Sequence, residues 1–125
     1  MFTLLYNKTK KTKVIERVRI ANNFFSMLKG LMFERKKNFS YALVFELPVA
    51  GKLSAAIHSF FVFFPFDIVF LDTKKMVVET QNIKPFTPSY VPKQAAKYFI
   101  ELPSGMAKEI RIGDVLEWNK IKEQN

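Results

Sequence analysis

Residues 55–72, AAIHSFFVFFPFDIVFLD, form the most apolar stretch of the chain, and the fold turns on how they are read. The run holds the only histidine, His58, and carries an acid, Asp67, near its middle. A spanning helix needs about 20 apolar residues in succession. His58, Ser59, Pro65 and Asp67 interrupt this run, so no membrane span is expected. Val, Ile and Phe alternate in the manner of strands, which predicts strands at 56–62 and 67–72 joined as a hairpin across FFPF. Phe61 and Phe63 would then share one face, with Phe60, Val62 and Phe64 on the other. Both faces would be buried. An exposed aromatic platform, as base stacking requires, is the alternative.

Outward from this hairpin, apolar periods of two predict further strands near 2–6, 13–20, 41–46, 76–81, 95–102 and 115–118. Short turns between them suggest a mainly β, compact antiparallel sandwich or barrel-like domain with one or two short helices. Asn22 or Asn23 can cap a helix through FFSMLK, with Gly30 taking the left-handed position after it. A second helix is expected from Ser104 to about Glu109, and Gly113 should turn the chain into its last strand. Between Asn82 and Gln94, Pro85, Pro88 and Pro92 forbid a continuous ladder. A connection of this length suggests a lid.

The 125 residues suit one domain, 1–125, with 119–125 as a frayed tail. Hydrophobic residues make up 49% and include 14 Phe, enough to fill a core without staples. There is no cysteine, which excludes disulfides, thiolate catalysis and Cys-ligated zinc. MFTLLYNKTKKTK does not resemble a secretion signal, so a cytoplasmic protein beginning near Met1 is expected.

The net charge of +9 is concentrated early, for residues 1–40 hold ten Lys and Arg against Glu16 and Glu34. Lys8, Lys10, Lys11 and Lys13 fall at an expected hairpin tip, where lysines serve solubility. Together with Arg17 and Arg19 they could also hold phosphates weakly and without sequence preference.

Elimination removes most chemistry. Ser59 points away from His58 on a strand, and a His58–Asp67 dyad would span about 13 Å along the expected hairpin. One histidine and scattered carboxylates give no metal-ligand spacing, and the isolated glycines give no phosphate loop. No metal and no cofactor are expected. What remains is a set of polar groups in apolar settings: His58, Asp67, Arg35 and Glu101. Each has a structural reading. His58 would be a hydrogen-bonded core or rim residue, Asp67 a turn carboxylate, and Arg35 with Glu101 an ion pair or loop clamp.

KGLMFER (29–35), IHSFFVFFPFDIVFLD (57–72), IKPFTP (83–88), AAKYFIELPSG (95–105) and IRIGDVL (110–116) follow one another in an order that resembles the uncharacterised family called domain of unknown function 192, over roughly residues 13–118. The resemblance implies a mainly β domain found in bacteria and archaea, with no established activity. Gly30-Leu31-Met32-Phe33, Arg35, Pro65-x-Asp67, Glu101, Gly105 and Gly113-Asp114 match the family's pattern. His58 stands where many bacterial members carry Trp, Ser59 where Met is usual, and Phe61-Val62 where Asn-Thr is frequent. These departures remove polar groups and weaken a catalytic reading there.

The function expected from the sequence is therefore a non-enzymatic module binding a small, anionic ligand or a protein partner, with His58, Asp67, Arg35 and Glu101 as ligand residues. The alternatives are a hydrolase-like enzyme using Asp67 or Glu101, and weak nucleic-acid binding through the basic first third. The oligomeric state and the partner's identity are not legible.

Overall fold

A computed structural model describes residues 3–21, 29–53 and 55–120. The strands are β1 (Thr3–Asn7), β2 (Thr12–Ile15), β3 (Val18–Ala21), β4 (Ala42–Gly51), β5 (Phe66–Leu71), β6 (Val77–Ile83), β7 (Ala96–Pro103) and β8 (Leu116–Lys120). They form a three-stranded sheet in the order β2-β1-β8 and a five-stranded sheet in the order β3-β4-β7-β5-β6. The mainly β expectation holds. One pairing departs from the antiparallel pattern, since β3 lies parallel to β4 with Val18 opposite Ala42. A parallel pair needs a long crossover, here residues 22–41.

β5 shows why the fold is stable. All six of its residues are buried, so both faces of this strand are covered. Phe66, Ile68 and Phe70 belong to one apolar cluster, whereas Val69 and Leu71 belong to a second. The second cluster joins the two sheets, with Leu5 and Leu116 from the small sheet meeting Val44, Ile100 and Leu102 from the large one. The first is roofed not by a sheet but by loops, which contribute Leu31, Phe39, Ile57, Val62 and Phe64.

Residues 56–62 are one of these loops and not a strand. Ile57 makes an isolated bridge to Tyr90, and Val62 N closes a tight turn on Ser59 O at 3.1 Å. Ser59 is fully buried. Its hydroxyl donates to Lys84 O and accepts from Thr87 N, both at 2.6 Å, so it fastens the roof to the proline-rich segment. β5 instead pairs with β6 and β7, which places Asp67 opposite Asn82 and Leu102. The expected burial of both faces of FFVFF fails with the hairpin. Val62 and Phe64 are buried, while Phe60, Phe61 and Phe63 are exposed.

The other sequence expectations divide. The strand expected at 13–20 is two strands separated at Glu16 and Arg17. Residues 104–109 form successive tight turns (Met106 N to Pro103 O, Lys108 N to Gly105 O) rather than a helix. Gly105 sits at φ 92°, a left-handed value that no helix continues through. Gly30 does take a positive φ, 48°, but the helix expected before it lies outside the described residues. β8 pairs as far as Lys120, opposite Thr3. Among the described residues, no helix is long and apolar enough to cross a membrane.

Candidate functional site

Two buried carboxylates sit on neighbouring strands of the large sheet, and alternation sends them to opposite faces. Asp67 points the way of Val69, toward the second cluster. Glu101 lies opposite Ile68 and Leu43, toward the first. Asp67 is fully engaged. Asn82 Nδ2 donates to its Oδ1 at 2.8 Å, and the backbone N–H groups of Gly105 and Ala107 donate to its Oδ2 at 2.8 and 2.9 Å. It holds the 104–109 turns against β5, as the turn-carboxylate reading anticipated.

Glu101 is only 4% exposed, and its Oε1 has no hydrogen-bond partner among the described residues. An unpaired carboxylate in an apolar setting is costly. Burial pushes its pKa from the ordinary 4.5 up to about 8, so the group is mostly protonated at neutral pH. It lies on a cavity of about 180 Å³ whose other walls include Gly30, Leu31, Phe45, Val62 and Phe99, with Lys29 and His58 at the exposed side. At Gly30 a side-chain β-carbon would lie 3.6 Å from Glu101 Oε1 and 3.7 Å from the Phe45 ring. The backbone therefore closes directly on the carboxyl. His58 Nδ1 accepts from Phe60 N at 3.2 Å.

The model of domain of unknown function 192 (DUF192), described as uncharacterised ACR, matches residues 5–118. The chain belongs to this family. It is 41% identical over 124 residues to a UPF0127 protein of Thermococcus sibiricus, covering 98% of this chain and 79% of that one. It is 38% identical over 119 residues to a UPF0127 protein of Pyrococcus furiosus, covering 94% and 99%. A crystal structure of a protein of unknown function from Novosphingobium aromaticivorans has a similar fold, with a TM-score of 0.77 at 20% identity over 93% of this chain and 83% of that one.

In this DUF192 chain the four ligand residues expected from sequence do not form one site. His58 and Glu101 both line the cavity. Asp67 lies across the sheet beside a separate shallow hollow with Asn82, Ser104 and Lys108. Arg35 is exposed next to a short 3-10 turn, Lys36–Asn38, and does not line the cavity. No Arg35–Glu101 ion pair forms. Sequence reasoning missed Lys29 and Gly30 as cavity residues. The signal lies in the Gly30-Leu31-Met32 motif, whose glycine also fits a helix end.

Lys8, Lys10 and Lys11 lie in the β1–β2 turn, with Lys13 at the start of β2 and Lys11 at φ 57°, whereas Arg17 and Arg19 lie beyond it. Several are matched to acids: Lys8 lies 4.0 Å from Glu117, Lys10 3.5 Å from Asp114, and Lys13 2.6 Å from Glu16. Arg19 stacks over Tyr41 at 4.1 Å, and Arg17 is exposed. The proline-rich segment is fastened at several points. Tyr90 O–H and Lys93 N donate to the two oxygens of buried Glu79, and Ile57 bridges Tyr90. Such anchoring suits a wall better than a lid. Among the described residues no three His, Cys, Asp or Glu approach closely enough to hold a metal ion.

Proposed function

We propose that this DUF192 chain is a binding module for a small molecule with an apolar body and one hydrogen-bond-accepting end, seated between Glu101 and His58. The observation that carries this reading is the buried, unpartnered Oε1 of Glu101 on an apolar cavity. Buried polar groups are almost always hydrogen-bonded, so a free one on a cavity is a place for a ligand atom. A cavity of about 180 Å³ is slightly larger than one of about 150 Å³ that holds benzene.

Protonated Glu101 donates its O–H to a carbonyl or carboxylate oxygen, the apolar walls cover the body, and Lys29 at the rim favours a negative charge. Once ionised, Glu101 repels such a ligand. Affinity therefore falls as pH rises through about 8. Native mass spectrometry of purified protein, with thermal-shift measurements on benzoate, hexanoate and their amides at pH 6 and 9, tests this. A retained small molecule, or a stabilisation at pH 6 that fades at pH 9 and in Glu101→Ala, supports it. No retained mass and no shift with any compound would sink it.

The raised pKa of Glu101 also favours a second reading, in which the same carboxyl is a general acid of a hydrolase-like reaction near His58. A screen of ester and amide substrates with wild type and Glu101→Gln separates the two. Equal background rates reject the enzyme. Asp67 enters neither reading because its oxygens already serve the 104–109 turns.

A further inference from the structure

Away from the cavity, the roof loops display phenylalanine rings to solvent. Phe33 and Phe63 are 65% and 62% exposed, with Phe61 and Phe86 nearly half exposed. The rings touch: Phe33 stacks on Phe61 at 5.0 Å, Phe86 meets Phe61 edge-on at 6.2 Å, and Phe63 meets Phe86 edge-on at 5.2 Å. Three of the four occupy the left-handed backbone region, with φ of 61° at Phe33, 58° at Phe61 and 58° at Phe86. A bulky side chain there is uncommon, and Gly or Asn would relieve the backbone. Phe33 N donates to Phe61 O at 2.8 Å and Phe86 N to Ser59 O at 2.9 Å, so three separate loops are tied into one apolar knob. Strain of this kind collects where function needs it.

The same loops are basic. Exposed Arg35, Lys36 and Lys37 follow Phe33, and exposed Lys84 precedes Phe86. Residues 55–66 and 84–94 contain no acid, and the one acid in 29–39, Glu34, is held by Tyr41 O–H at 2.5 Å and Arg35 N at 3.1 Å. We propose that the Phe33–Phe61–Phe63–Phe86 knob docks on an anionic lipid bilayer, its rings entering the boundary between head groups and acyl chains while Arg35, Lys36, Lys37 and Lys84 meet the head groups. Apolar protrusions rimmed by Lys and Arg are what such an interface attracts.

Other occupants fit less well. The four rings stand exposed and line none of the hollows formed by the described residues, a shape that enters a fluid bilayer without a preformed slot. A two-fold pair of chains would bring the basic rim against its own copy. Base stacking wants open ring faces, and Phe33 and Phe61 use a face on each other.

The full chain is to be sedimented with vesicles of phosphatidylcholine alone and with about one third phosphatidylglycerol, at low and high salt. Each cation near an anionic surface is worth roughly fivefold in partitioning. Wild type is expected to bind the anionic vesicles at least a hundredfold more tightly, with most of this lost at high salt. Phe33→Asn with Phe63→Ser should abolish binding with melting unchanged. Lys36→Ser with Lys37→Ser, which alters only exposed side chains, should weaken it by roughly twentyfold. Failure to bind anionic vesicles, or binding that neither variant changes, overturns the proposal. So does tighter binding to a single-stranded oligonucleotide, or self-association by ultracentrifugation, that the phenylalanine variant removes.

Discussion

Asp67 and Glu101 are both buried carboxylates, they sit on adjacent paired strands, and they differ in almost everything that matters chemically. On the face shared with the small sheet, every oxygen of Asp67 has a donor, two of them backbone N–H groups of a turn that could not otherwise satisfy them. On the face roofed by loops, Glu101 has an oxygen with none. Burial alone therefore does not distinguish a satisfied carboxylate from an unsatisfied one. What distinguishes them is whether the chain itself supplies the partners.

The largest expected effect breaks the satisfied side. Asp67→Ala strands the turn N–H groups of Gly105 and Ala107, and should cost about 4 kcal/mol in urea denaturation, from roughly 1–3 kcal/mol for each group left unpaired. The next sharpens the unsatisfied side. Because burial raises the pKa of Glu101, the folded chain keeps a proton that the unfolded chain releases between pH 4.5 and about 8. Its stability is full below that window and falls as pH rises through it. Glu101→Gln should remove this slope and be more stable than wild type at pH 8.5, measured by denaturation at pH 5 and 8.5. An unchanged slope would mean that Glu101 has partners after all.

Gly30→Ala comes third. The added carbon meets only ordinary contacts at 3.6 and 3.7 Å, so the cost is set by φ 48° and should be about 1 kcal/mol. Ligand affinity should fall more steeply than stability if the cavity is the binding site. The smallest effect concerns the roof. Phe61→Asn relieves a left-handed phenylalanine but loses two ring contacts, and should change the melting midpoint by no more than a few degrees in either direction.

Where period-two alternation coincided with mutual pairing, the sequence was readable. The strands near 67–72, 76–81, 95–102 and 115–118 lie within two residues of those observed. The FFVFF run was not readable, because alternation of apolar residues is also produced by a loop with one side pressed on the core. Ser59 and Pro65 were the available signals, one a small polar anchor and the other a missing donor. His58 and Glu101 stood out as polar groups in apolar runs. That Asp67 lies behind them depends on strand register, which no local pattern carries.

The first strand waits for the last. Leu5 pairs with Trp118, and β1 is sandwiched between β2 and β8. On a ribosome, the hairpin of β1 and β2 emerges early and can close at once, but the cluster that joins the two sheets stays open until Leu116 arrives. Contacts so distant along the chain slow folding, and unfinished sheet edges invite aggregation. A nascent chain halted before β8 is therefore expected to be a substrate for chaperones or proteases rather than a smaller version of the fold.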